Sequence, residues 1–189
     1  QTLRIVTLLE NKYYKFFGLN LTIETLDGLI KHNGPVKNIN SYKKILGNNI
    51  FNKKIFFHTF PSLEAQVAAI SDDIAYNNHD LEDGFRAGLF TIEKFSSIPF
   101  ISKLVIRHLK NIKKFRKEII IGQIIRELIN LMVNDVIITT NENLKNIKPL
   151  SINDIYKQKK KIVDFSDRMK KIDKHIKDFL KHNMYNHKK

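Results

Sequence analysis

The chain has 189 residues, 33 Lys and Arg against 19 Asp and Glu, and no cysteine. That length suits one domain with its own hydrophobic core, and the missing thiols exclude a disulfide scaffold, a thiolate zinc site and a cysteine nucleophile. No apolar run approaches the roughly 18 residues of a membrane span, so no membrane partner is expected and the expected location is the cytoplasm.

The opening QTLRIVTLLE has amphipathic helical spacing, which predicts a helix ending near Lys15. It starts without Met, so the chain reads as cut from something longer. Asn20 and Thr22 are N-cap candidates for a second helix over ETLDGLIKH, stopped by His32-Asn33-Gly34-Pro35. Residues 36–60 are polar, with Gly47 and an apolar patch at Ile55-Phe56-Phe57, and predict a loop with a turn of helix. Pro61-Ser62 opens a third helix to about Asp83, followed by a break at Gly84 and Gly88 and short helices over 91–110. Residues 116–139 give the longest helix, because Ile121, Ile124, Leu128, Met132 and Asp135 repeat every 3.6 residues. Asn141–Lys148 reads as a linker. Ser151 and Asp154 have capping-box spacing, and Ser166 caps a last helix with Met169, Ile172, Ile176, Phe179 and Leu180 inward. With four Pro, seven Gly and no alternating run, the fold class is all-α.

Charge is unevenly placed. Residues 1–90 hold 10 bases and 9 acids, whereas residues 91–189 hold 23 and 10. A basic half suggests an anionic partner such as single-stranded nucleic acid. Yet 27 of the bases are Lys, beside 28 Ile and 19 Asn, and these three share AT-rich codons. The cluster Lys110, Lys113, Lys114, Arg116 and Lys117 around Phe115 therefore reads as a solvated face or as a weak polyanion grip. The same alternatives hold for Lys157–Lys161 and the His182–Lys189 end.

Residues 62–84 differ from everything else. They hold no Lys or Arg, and five carboxylates fall between Asp72 and Asp83. On a helix, Leu63, Val67, Ile70, Ile74 and Leu81 form a core stripe. Ala65, Ala69, Asp72, Tyr76, His79 and Asp80 fall roughly opposite, with Asp73 and Asp83 expected to turn away. Small residues admit a close neighbour or a ligand, and two acids with an aromatic between them could hold a cation and a flat ring. A solvated acidic face is the alternative.

EAQVAAISDDIAYNNHDLEDGFRAGLF at Glu64–Phe90 resembles the bacterial deoxyguanosine triphosphate triphosphohydrolase-like proteins of the HD-domain superfamily. QTLRIV at 1–6, GLNLTIETLDGLIKHNGP at 18–35 and VDFSDRMKKIDKHIKDFLKHNMYNH at 163–187 are similar to further stretches of that family, in the same order. The resemblance implies that 1–189 is the central and C-terminal part of one HD-type helical bundle, incomplete, with a basic region from about 145. It implies hydrolysis of a dNTP to deoxynucleoside and triphosphate by a homo-oligomer that uses Mg²⁺ or Mn²⁺. The family holds its metal through a His, a His-Asp pair and a distant Asp. Only the last has a counterpart here, Asp72. Tyr76 matches the position that stacks on the sugar or base, and Asp80 the acid that meets the 3′-hydroxyl. Arg4 lies beside the family's His-Asn-Ala and could approach the phosphates, as could His32; a surface arginine and a helix end are the alternatives. Arg86 reads as an ion-pair partner of Glu82 or Asp83. His79-Asp80 is a coincidental dipeptide. The catalytic His and the His-Asp pair would precede Gln1, so this chain by itself is expected to be inactive and not to bind the metal.

Overall fold

The computed structural model describes residues 1–46, 55–110 and 114–186. Every regular element within them is helical, as the spacing predicts. The chain forms two compact units, Gln1–Ala69 with Asn143–Val163, and Ile70–Glu142 with Asp164–Lys189.

In the first unit, α1 (Thr2–Arg4) runs into a π turn over Ile5–Leu9. The opening helix thus stops well before Lys15. Gly18, at φ +69°, turns the chain back, and the Leu19 N–H donates to the Val6 carbonyl at 2.8 Å. That carbonyl is no longer free to extend the helix. A Cβ on Gly18 would lie 2.5 Å from the same carbonyl oxygen, so only glycine fits. The helix α2 (Ile23–Ile30) is capped by Thr22, whose hydroxyl accepts from the Thr25 N–H at 3.3 Å. The helix α3 (Asn40–Leu46) is longer than the single turn expected there. Its start is held by Asn38, whose Oδ1 accepts from the Asn40 N–H. Gly47 lies outside the described residues. Ile55 and Phe57 are buried with Leu3, Leu26, Ile30 and Val36, while Phe56 faces out.

The helix α4 (Leu63–Arg86) passes straight through Gly84, where a break was expected. In the second unit follow α5 (Ile92–Phe95) and α6 (Ile101–Leu109). Gly84 is there for space. A Cβ on it would collide with the Phe90 ring. That ring cannot step aside, because Phe85, Phe90, Phe179 and Phe95 form a closed set of edge-on pairs with centroids 4.9 to 5.7 Å apart. The chain turns only at Gly88, at φ +70°. Gly84→Ala is therefore expected to destabilise by about 1–2 kcal/mol, overpacking outweighing the better helix propensity of alanine. Thermal unfolding reads this, and an unchanged or raised midpoint would refute it.

The helix α7 (Lys117–Ile147) absorbs most of the expected linker. No Gly or Pro interrupts 141–147, and the stop is Pro149, before which Lys148 leaves the helical region at φ +47°. Asn143 also gains a partner by staying helical, its Nδ2 donating to the Ile162 carbonyl at 2.8 Å. The helix α8 (Ile152–Tyr156) carries the expected Ser151–Asp154 capping box. The helix α9 (Asp167–Leu180) starts at Ser166 and continues as a π turn over Lys181–Tyr185. Ser166 is clamped by Asp135 of α7, whose two oxygens accept from its N–H and hydroxyl at 2.8 and 2.7 Å. Met169, Ile172, Ile176, Phe179 and Leu180 are buried, as their spacing predicts.

Candidate functional site

Burial along α4 rests on different residues from those expected. Ile74 and Leu81 are inside, but Val67 is 48% exposed, and the buried face includes Gln66, Asn77 and Asn78. Most of the polar atoms these amides bury are bonded, the exception being the Oδ1 of Asn78, which has no partner among the described residues. Gln66 donates to the Pro61 carbonyl and accepts from the Ile162 and Val163 N–H groups at 2.9 and 3.1 Å. Asn77 donates to Asp173 at 3.0 Å, and Asn78 to the Ile74 carbonyl at 2.8 Å. A reading that admits only apolar residues inside misses such amides.

The small residues divide in function. In the first unit Ala65 abuts α2: a Cβ on Gly28 would stand 2.9 Å from that of Ala65. Here small size admits a neighbouring helix. Beside this crossing lies a cavity of about 390 Å³ lined by Glu24, Leu29, His32, Ser62 and Ala68 among others. His32 is therefore a cavity wall as well as a helix end. Arg4 is exposed on α1 in the same unit.

In the second unit, Asp72, Tyr76 and Asp80 are spaced one helical turn apart along α4. Asp72 is exposed and Tyr76 is 59% exposed, so the ring presents most of its surface. Asp80 is half-buried because the end of α9 folds onto it, and the Tyr185 hydroxyl donates to its Oδ2. Tyr76 lies near the same hydroxyl. Burial, then the bond to Asp80 and its negative charge, then Tyr76, push the Tyr185 phenol far above its ordinary range. It stays protonated at neutral pH and remains a donor.

Neighbouring contacts tie α4 to α9. Lys177 reaches Asp173 at 2.8 Å and Asp73 at 3.6 Å. Burial lowers the Lys177 pKa, but the bond and charge of Asp173, with Asp73, raise it to a net position above its ordinary value. Asp73 is thus an ion-pair partner, and it corrects half of the expectation that Asp73 and Asp83 turn away: seven residues before Asp80, it lies only about 20° from it around the helix. Asp83 corrects the other half of that expectation: seven residues past Tyr76, it lies only about 20° from it around the helix. Arg86 pairs with Glu82, as expected. His79 is exposed.

Tyr185 is the residue the sequence reading missed. Its signal was an aromatic placed just beyond the apolar stripe of α9, in a stretch otherwise made of Lys, His, Asn and one Met.

Among the described residues no group of three or more His, Asp or Glu could hold a metal ion. Asp72 belongs to no such group among the described residues, so these residues do not by themselves fit the ion that the resemblance implies. Of the basic cluster, Lys113 lies outside the described residues, as do His187–Lys189, while Phe115 is 53% exposed. No described helix is long and apolar enough to cross a membrane.

No protein-family model matches the chain. Individual proteins match it end to end. It is 51% identical over 189 residues to a deoxyguanosinetriphosphate triphosphohydrolase-like protein of Pelagibacter ubique, covering 100% of this chain and 51% of the relative. Proteins of the same name from Bartonella tribocorum and Parvibaculum lavamentivorans are 43% and 40% identical, each with 99% of this chain and 48% of the relative covered. The chain spans about half the length of these curated relatives. Over its whole length, and as about half of theirs, the chain belongs to the family of deoxyguanosinetriphosphate triphosphohydrolase-like proteins.

Proposed function

We propose that this chain carries the sugar- and base-binding part of an enzyme that hydrolyses a deoxynucleoside triphosphate to deoxynucleoside and triphosphate. The observation that carries the reading is the cluster of Asp80, Tyr76 and Tyr185 on the exposed side of α4. An exposed tyrosine ring offers a stacking surface worth about 1–3 kcal/mol to a flat ligand. An ionised aspartate offers only acceptors. With Oδ2 of Asp80 taken by Tyr185, Oδ1 remains for a sugar hydroxyl. The protonated phenol holds the carboxylate in one rotamer, so the acceptor is positioned before substrate arrives.

In the proposed reaction the oxygen of a water molecule forms a bond to the α-phosphorus. The bond from that phosphorus to the 5′-oxygen breaks, the electron pair stays on the 5′-oxygen, and that oxygen takes up a proton equivalent to the one the attacking water gives up. Triphosphate leaves intact. A divalent ion and its histidine ligands are assigned to the half of the relatives that this chain does not span, with Asp72 contributing one carboxylate. No step here is routed through the ion.

The test is release of inorganic triphosphate from dGTP and the other dNTPs. The 189-residue chain alone is expected to release none. Fused to the half of the Pelagibacter ubique relative that it does not match, it is expected to release triphosphate and no diphosphate. A well-folded fusion that leaves every dNTP intact would support a scaffold role instead.

A further inference from the structure

The helix α9 sorts its charges by face. Asp164 and Asp167 face Lys170 at 2.7 and 3.9 Å, and Asp173 faces Lys177 at 2.8 Å. Arg168, Lys171 and His175, at i, i+3 and i+7, share a different face. With Phe100 and Lys103 from the start of α6 they line a pocket of about 310 Å³, and no Asp or Glu is among the described residues that line it. Four basic side chains thus line one concavity that has no carboxylate in its wall, the nearest acid along that face of α9 being the exposed Asp178, three residues beyond His175.

Two further features separate this pocket from an ordinary solvated basic face. Phe100 stands at φ +73°, a left-handed conformation that costs a non-glycine residue about 1–3 kcal/mol and persists only where the surroundings impose it. Its ring, half-buried at the pocket wall, lies under the Arg168 guanidinium, 5.1 Å from carbon to ring centre. The ring holds the guanidinium carbon at the pocket. A planar fork of donors suits two oxygens of one phosphate. Lys103 and Lys171 add point charges for neighbouring phosphates.

We propose that this pocket binds a chain of linked phosphates, free or at the end of a nucleotide, with Arg168 and Lys171 as its main charge partners. The pocket is at the small end of ligand cavities, which range from about 300 to 1,000 Å³, and fits a phosphate chain better than a bulky group. All its walls belong to the second unit, whereas those of the cavity at His32 belong to the first. The proposal does not depend on the hydrolase reading.

Calorimetric titration of the 189-residue chain with inorganic triphosphate, with ATP and with a single-stranded oligothymidylate tests it. Triphosphate and ATP are expected to bind and to compete with each other. Arg168→Gln with Lys171→Gln is expected to weaken both about tenfold or more, since hydrogen bonds to charged groups contribute about 1.5–3 kcal/mol each. Arg168→Lys keeps the charge but loses the fork, and should fall between. Lys160→Gln, on a basic stretch outside the pocket, should change nothing. All three of the substituted side chains are exposed, so the variants should unfold at the midpoint of the parent. No binding of triphosphate, or an equal loss in Lys160→Gln, overturns the proposal. So does oligothymidylate binding that triphosphate does not displace, which would mark an open nucleic-acid surface instead.

Discussion

Lys31→Met is expected to destabilise the chain by about 3–5 kcal/mol, the cost of breaking one side of a buried ion pair. Lys31 is 1% exposed, and its ammonium reaches Asp27 at 2.7 Å and the Thr59 hydroxyl at 2.9 Å. The Tyr156 ring lies 5.2 Å beneath it. One side chain therefore joins α2, the 56–59 turn and α8. Burial raises the Asp27 carboxyl above its ordinary value, while the hydrogen bond and charge of Lys31 pull it down. Without Lys31 those two lowering influences vanish, and the folded-state pKa rises further. A group raised in the folded state contributes stability below its unfolded pKa and loses it as pH climbs through the folded value. The penalty should thus be largest near pH 7–8 and shrink toward pH 4, as Asp27 takes a proton. Adding Asp27→Leu should recover most of the loss, because a pair replaced by apolar groups leaves no stranded charge. Denaturant unfolding at several pH values reads both. A loss that is independent of pH, or that the second change does not relieve, would show that packing of the lysine stem is the larger effect.

That pair shows where sequence reading stops. Periodicity exposed the helices because burying one face of a helix requires a repeat of 3.6 residues. It places Met169, Ile172 and Ile176 inward in α9 correctly. Periodicity says nothing about Lys31 or Gln66, whose burial depends on partners 28 and 96 residues away in the chain. Glycine was ambiguous for a similar reason. Gly18 and Gly84 look alike in sequence, yet one turns the chain and the other makes room for Phe90 inside a helix. Of the candidate site, the Asp72–Tyr76–Asp80 spacing was legible because it is local to α4. Tyr185 was not, because it reaches Asp80 across 105 residues.

In the fusion that completes the relatives' length, Asp72→Ala is expected to abolish triphosphate release, a larger loss than any other change on α4. Its carboxylate is exposed one turn before the stacking ring and is proposed as a ligand of the ion. Even an outer-sphere partner of a metal site is worth roughly 10–100-fold, so a direct ligand should cost more. The other three changes should act on substrate affinity. Tyr76→Ala removes a stacking surface of about 1–3 kcal/mol and should raise KM with little change in kcat. Asp80→Asn leaves one amide oxygen to accept from Tyr185 and puts an amide N–H where Oδ1 would accept from the sugar hydroxyl. It should raise KM for dNTPs. Tyr185→Phe keeps the ring but frees Asp80 to rotate, so its effect should be in the same direction and smaller. If it acts through Asp80, the double change Asp80→Asn with Tyr185→Phe should be no worse than Asp80→Asn alone. Asp73→Ala severs a contact to Lys177 and should lower the unfolding midpoint more than the rate. The pattern decides the matter. If Asp73→Ala stopped turnover while Asp72→Ala did not, the register of the site on α4 would be off by one residue. The roles assigned to Tyr76 and Asp80 would then have to be withdrawn with it.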